Sequence, residues 1–142
     1  MPRAVLDTNV LVSALISPAG PSAALLLELR AGAFELVVSP ALLTELREVL
    51  AQEKFRRYVT EVEAVAYIDL LRHEATIIDD PRASPRPVSA DPDDEFLVDL
   101  ARVAAVEVLV SGDAHLLDLR DRLPVMTPAE FLATLVDQPL PD

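Results

Sequence analysis

Asp7 and Asp113 are carboxylates that follow apolar runs, Asp91 and Asp94 stand just before the apolar-periodic segment that begins at Phe96, and Glu45 lies within "ALLTELREVL". Asp7 is the plainest case. It interrupts "AVLDTNVLV", with Ala4 to Leu6 before it and Val10 to Val12 after it. A charge beside a buried run is costly unless something pairs with it. Carboxylates gathered together repel, and one is driven to a high pKa unless a cation intervenes. The chain has no cysteine, and its only histidines are His73 and His115. Thiolate metal sites are therefore excluded, and a set of hard oxygen donors favours Mg²⁺ or Mn²⁺. Such an ion fixes phosphate oxygens, activates water and stabilises a leaving oxygen, which is the chemistry of phosphodiester hydrolysis.

For these acids to meet, the elements between them must bring them to one edge. Residues 3–6 read as a short buried strand, and "SPAG", 17–20, as a turn. Pro21 opens a helix carrying Leu25, Leu26 and Leu29 that stops at Gly32. "FELVVS", 34–39, is a second strand. Ser39 caps a helix with Pro40 at its first position, running to about Leu50. Val62, Val65, Ile68 and Leu71 mark a helix over 61–74, followed by a short strand, "ATII". The proline-rich stretch 79–94 is a loop. Helix 94–105 turns Phe96, Leu97, Leu100 and Ala104 inward. "VEVLVS", 106–111, is a strand, 114–119 a short helix and 124–127 a last strand. Thr127 and Glu130 form a capping box for a closing helix. Strands alternate with helices throughout, so the fold class is α/β with a mainly parallel sheet.

Parallel α/β folds bind ligands beyond the carboxyl ends of their strands. Asp7 and Asp113 lie there directly. Asp91, Asp93 and Asp94 open a crossover helix whose N-terminus points to the same edge. Glu45 lies about two turns into its helix, on the border of the stripe formed by Leu42, Leu43, Leu46, Val49 and Leu50, whereas Glu48 falls opposite. Local roles are open beside the functional one. Asp91 before Pro92 suits an N-cap, and Asp93 and Asp94 offset a helix dipole. Asp113 suits a turn or a cap, and Asn9 and Ser111 suit either carboxylate support or local backbone bonds.

With 142 residues, 51% of them hydrophobic, one compact domain over 1–142 is expected, with a core of about 3–136 and a short tail, 137–142. No apolar run has membrane length and no charged-then-apolar leader precedes the first strand, so a cytoplasmic protein is expected. The net charge of −12 argues against broad electrostatic binding of nucleic acid, unless a bound cation supplies the missing charge. The densest basic run is "KFRR", with Lys54, the sole lysine, Arg56 and Arg57; Arg47 stands upstream, and Arg82 and Arg86 on the proline-rich loop. Phosphate contact and a solvated helix end are both open for this run.

"LDTNVLVSAL", "SPALLTELREVL", "DPDDEFLVDLA", "LVSGDAHLL" and "VMTPAEFLATL", in this order and spacing, resemble the PIN-domain family over nearly the whole chain. The nearest branch comprises toxin components of toxin–antitoxin pairs, related to the VapC-type ribonucleases. The resemblance implies a three-layer α/β/α sandwich and a Mg²⁺- or Mn²⁺-dependent endoribonuclease. It implies that Asp7, Glu45, Asp94 and Asp113 are catalytic and bind metal, Glu45 through water. Asn9, Ser111 and Asp91 would support them. It also implies an RNA substrate, a cognate antitoxin and a homodimer. Glu95 departs from the asparagine common at its position and would either add a ligand or face solvent. Two other readings compete. One is a degenerate PIN module that binds RNA or protein. The other is a Mg²⁺-dependent phosphatase with Asp7 as nucleophile, which lacks the second aspartate expected where Asn9 stands.

Overall fold

The computed structural model describes residues 1–136; the expected tail, 137–142, lies outside them. Five strands form the sheet: β1 (Arg3–Leu6), β2 (Glu35–Val38), β3 (Thr76–Ile77), β4 (Val108–Val110) and β5 (Val125–Met126). Their order is β3-β2-β1-β4-β5, and every neighbouring pair is parallel. Ala4 registers with Leu36 on one side and Val108 on the other. The three central strands are buried on both faces, as their unbroken Val/Leu runs require. The chain winds from β1 towards β3, then crosses back to β4 and winds the other way. The reversal falls between β1 and β4, and at such a switch point a crevice opens at the carboxyl ends of the strands.

Helices α1 (Thr8–Ile16), α2 (Pro21–Arg30), α3 (Pro40–Leu50) and α4 (Glu61–Glu74) join the strands of the first half. A 3-10 turn, Glu53–Phe55, follows α3. Helix α5 (Pro92–Val103) crosses back and packs on β1 and β4; α6 (Ala114–Leu117) leads to β5, and α7 (Pro128–Val136) packs on α2. The result is the expected α/β/α layering. Ser39 and the Thr127–Glu130 box cap α3 and α7 as their sequences demand.

Two elements differ from expectation. The run Val10 to Val12, outside every element expected from the sequence, lies in α1. Asp7 caps this helix, which buries Val10, Leu11, Val12 and Ala14. In α4, Val62 and Val65 are exposed, and Ala64, Tyr67, Ile68 and Leu71 face the core. A strict three-residue spacing walks backwards around a 3.6-residue helix, so four such residues cannot share one face. The Tyr67 hydroxyl donates to the Leu11 carbonyl at 2.7 Å, which ties α4 to α1 and satisfies a buried polar atom.

Helices α2 and α5 end in the same Schellman turn. Ala33 N–H donates to the Glu28 carbonyl and Gly32 N–H to Leu29; Val106 N–H donates to Ala101 and Ala105 N–H to Arg102. The left-handed residue is Gly32 in the first turn and Ala105, at φ 51°, in the second. A Cβ is disfavoured there. Because Ala105 is exposed, Ala105→Gly is expected to stabilise the protein by up to about 1 kcal/mol. Gly32→Ala should destabilise it by a similar amount. Urea unfolding of the two variants checks both signs.

Candidate active site

Asp7 sits where β1 passes into α1. Its N–H donates to the Val110 carbonyl at 2.9 Å, extending the β1–β4 pairing by one residue. Its carboxylate is buried and accepts from the Asn9 N–H at Oδ1 (3.3 Å) and from the Ser111 hydroxyl at Oδ2 (2.8 Å). Ser111 in turn accepts from the Asp113 N–H at 3.0 Å. One hydroxyl therefore links the acids that follow β1 and β4. Asp113 caps α6 by accepting from the His115 N–H at 2.8 Å. Glu45 is half-buried on α3, and its Oε2 accepts from the Thr8 hydroxyl at 3.2 Å. Asp91 caps α5 by accepting from the Asp93 N–H at 2.9 Å. Asp94, in the first turn of α5, is buried, and its Oδ2 has no hydrogen-bond partner.

Asp7, Glu45, Asp91, Asp94 and Asp113 line one cleft of about 150 Å³, together with Thr8, Asn9, Asp93 and Leu97. Sequence-distant acids are thus brought to the rim at which the strand order reverses. Asn9 supports Asp7 through its backbone, while Ser111 does so through its side chain. Thr8 escaped the sequence reading, although it stands beside Asp7; only the approach of α3 shows that its hydroxyl orients Glu45. Glu95 neither lines the cleft nor faces solvent. It is buried and turned towards the loop before α5. Phe96 packs against the core as expected but is only half-buried, and its outer side lines a groove with Glu45, Glu48 and Asp93. The most deeply buried apolar residues of α5 are Leu97, Val98 and Leu100, with Ala104 buried at its C-cap.

The basic run lies apart from the cleft lining. Arg56 donates to the carbonyls of Leu50 (3.4 Å), Ala51 (3.3 Å) and Val59 (3.2 Å), so it closes the C-terminal end of α3. Lys54 lies over the Phe55 ring and Arg57 over Tyr58; both side chains are exposed.

Burial raises the pKa of Asp7; the Ser111 and Asn9 hydrogen bonds oppose the rise and the Asp113 charge adds to it. Burial also raises Glu45, against the Thr8 bond and with the charges of Asp93 and Asp7. Asp94 is pushed up to about 6, first by burial and then by Asp113, Asp91 and Asp7. A carboxyl whose folded pKa exceeds its unfolded one stabilises the fold below the unfolded value and loses that effect as pH rises through the folded value. The metal-free protein is therefore expected to melt higher at pH 5 than at pH 7.5, and Asp94→Asn should flatten the difference. Thermal melts in chelator at the two pH values read it directly.

A hard divalent cation suits this cleft. The donors are all oxygens, several carboxylates are raised by burial and by one another, and Asp94 presents a buried oxygen with nothing bound to it. Among the described residues no three acidic or histidine side chains close on a single point, so the arrangement is a lined cleft rather than a formed chelate.

The family model described as PIN domain matches residues 3–115. The chain belongs to the PIN-domain family. It is similar to the uncharacterized protein MJ1680 of Methanocaldococcus jannaschii, with 28% identity over 92% of this chain and 89% of that one. In structure, this PIN domain is similar to PAE2754 from Pyrobaculum aerophilum, with a TM-score of 0.71 at 16% identity, covering 96% of this chain and 97% of that one. It is also similar to a chain of VapBC2 from Rickettsia felis, solved bound to a DNA fragment from the promoter. There the TM-score is 0.61 at 18% identity, covering 88% of this chain and 98% of that one. At these identities the structural likenesses speak for the PIN fold. PIN domains are generally nucleases, and they generally use divalent metals. Among the described residues of this one, no single helix is long and apolar enough to cross a membrane.

Proposed function

We propose that the protein is a Mg²⁺- or Mn²⁺-dependent endoribonuclease and the toxin of a toxin–antitoxin pair. The observation that carries the metal and hydrolysis reading is the gathering of Asp7, Glu45, Asp94 and Asp113, from four separate segments, around one cleft at the strand-order reversal. Asp7, Asp94 and Asp113 would hold the cation, with Glu45 reaching it through water. When bound, the ion supplies the positive charge that binds a phosphate and lowers the pKa of water. Ser111 holds Asp7 in place, and Thr8 holds Glu45 by Oε2, which leaves Oε1 to accept a proton from water. The antitoxin reading is supported by the likeness to VapBC2 and by the sequence motifs. The homodimer is supported only by the resemblance to the PIN-domain family.

Incubating the purified protein with single-stranded RNA and Mn²⁺ tests the activity. Internal cleavage that chelator stops is expected; intact RNA at every metal concentration would refute it. Growth arrest on expression, relieved by the product of an adjacent short upstream gene, is expected of the toxin.

Lys54 and Arg57, both exposed, are proposed to touch phosphates flanking the cleft, whereas the Arg56 guanidinium is held by the carbonyls of Leu50, Ala51 and Val59. Because Arg56 closes α3, the clean test leaves it in place. Lys54→Ala with Arg57→Ala, made in the inactive Asp7→Asn form, should reduce the steepness of log affinity against log salt concentration by roughly 1.4 for two lost single-strand contacts. An unchanged slope would place these side chains off the RNA path.

A further inference from the structure

Helix α5 carries a second pair of acids beside those of the cleft. Glu95 and Asp99 lie one turn apart, and both are buried. Both face the loop over residues 79–91, whose prolines, Pro81, Pro85 and Pro87, offer no backbone donor and block regular structure. The donors this loop does have must find side-chain partners. Glu95 Oε2 accepts from the Val88 N–H at 3.1 Å and the Ser89 N–H at 2.9 Å. Asp99 accepts from the Ser84 N–H at 3.3 Å and pairs with Arg102 at 3.6 Å.

The bonds then close a ring. Ser89 Oγ accepts from the Asp91 N–H at 3.2 Å, Asp91 Oδ1 from the Asp93 N–H at 2.9 Å, and the Asp91 carbonyl from the Glu95 N–H at 2.9 Å. Glu95 thus holds the loop that delivers Asp91, and Asp91 starts the helical turn that carries Asp94. The other Glu95 oxygen, Oε1, is buried without a partner. An uncompensated buried oxygen is a cost that the fold bears here.

We propose that Glu95 is a positioning residue for the acidic cleft: through Val88 and Ser89 it fixes the entry to α5 and so holds Asp94 against the cleft. The consequence for metal binding rests on the metal reading above. The residue acts as an acceptor of the right length, not as a charge. A glutamine places a carbonyl oxygen where Oε2 stands and accepts both N–H groups. An alanine leaves both without a partner.

The test compares Glu95→Gln and Glu95→Ala in the full chain, by amide hydrogen exchange and by calorimetric titration with Mn²⁺ alone. Glu95→Gln should match the wild type in both. Glu95→Ala should exchange faster at Val88 and Ser89 and onward through Asp93 to Glu95, with β1 and β4 unchanged. Its Mn²⁺ affinity should fall about tenfold, as when a partner outside the ligand set is lost. Faster exchange confined to Val88 and Ser89, with wild-type affinity, would overturn the proposal. Equal damage by Glu95→Gln would overturn it too, since an acceptor of the right length would then not be enough. If the wild type binds no Mn²⁺, the metal reading fails by itself. Exchange at Asp93 to Glu95 then decides the positioning role: acceleration in Glu95→Ala sustains it, and wild-type rates overturn it. Should Glu95→Ala not fold, Glu95→Asp, one methylene short, takes its place with the same readouts.

Discussion

The Asp7→Asn protein is expected to keep its fold and to cleave RNA at least about a thousandfold more slowly than the wild type. A factor of a thousand corresponds to about 4 kcal/mol of barrier, within the several kcal/mol that a bound metal ion supplies to a transition state. The change is nearly isosteric. An asparagine Oδ1 still accepts from the Asn9 N–H and still caps α1. Its amide then faces the Ser111 oxygen, which has a second lone pair beside the one taken by the Asp113 N–H. Removing the charge also removes the burial cost and the repulsion from Asp113 that raise the Asp7 pKa. Stability should therefore hold or rise while activity disappears. Single-turnover cleavage with Mn²⁺, beside circular dichroism, separates the two effects. A rate within tenfold of wild type would remove Asp7 from the metal set.

Divalent metal is expected to stabilise the protein strongly. An ion that binds the folded cleft and not the unfolded chain adds about 2.7 kcal/mol at a hundredfold excess over its Kd. For a domain of this size that is a rise in Tm of roughly 10 °C. The rise should vanish in the Asp94→Asn, Asp113→Asn double variant, which loses the unpartnered Asp94 oxygen and the acid that most strongly repels it. The same variant, metal-free at pH 7.5, should melt above the metal-free wild type. A full metal-dependent shift surviving in the double variant would put the cation somewhere other than this cleft.

The sequence made the rim legible because strand ends and helix starts are written in it. Asp7 breaks an apolar run, Asp91 precedes a proline at a helix start, and Asp113 follows a Val/Leu strand. Period and capping residues locate such boundaries. Glu45 was separable from Glu48 by helical angle alone, and the structure half-buries the first and exposes the second. What escaped depends on how elements and loops fold onto one another, which spacing and capping residues do not record. Thr8 orients Glu45 only because α1 and α3 pack side by side. Glu95 is read locally as a ligand or a solvated charge, and its burial against Val88 and Ser89 follows from how the proline-rich loop folds back. In α1, a run of small and β-branched residues leaves helix and strand open until the Asp7 cap and the packing on α2 decide. Arg56 reads as a phosphate ligand or a helix-end charge, and the structure shows it bonded to the carbonyls of Leu50 and Ala51.

The central claim, that the acids of this cleft together hold a divalent cation, is tested most directly by Mn²⁺ anomalous diffraction from crystals soaked in the metal. The expected result is a peak bounded by the carboxylates of Asp7, Asp94 and Asp113, absent from crystals of the Asp94→Asn, Asp113→Asn variant. A strong peak elsewhere, or none in the cleft at saturating Mn²⁺, would contradict it.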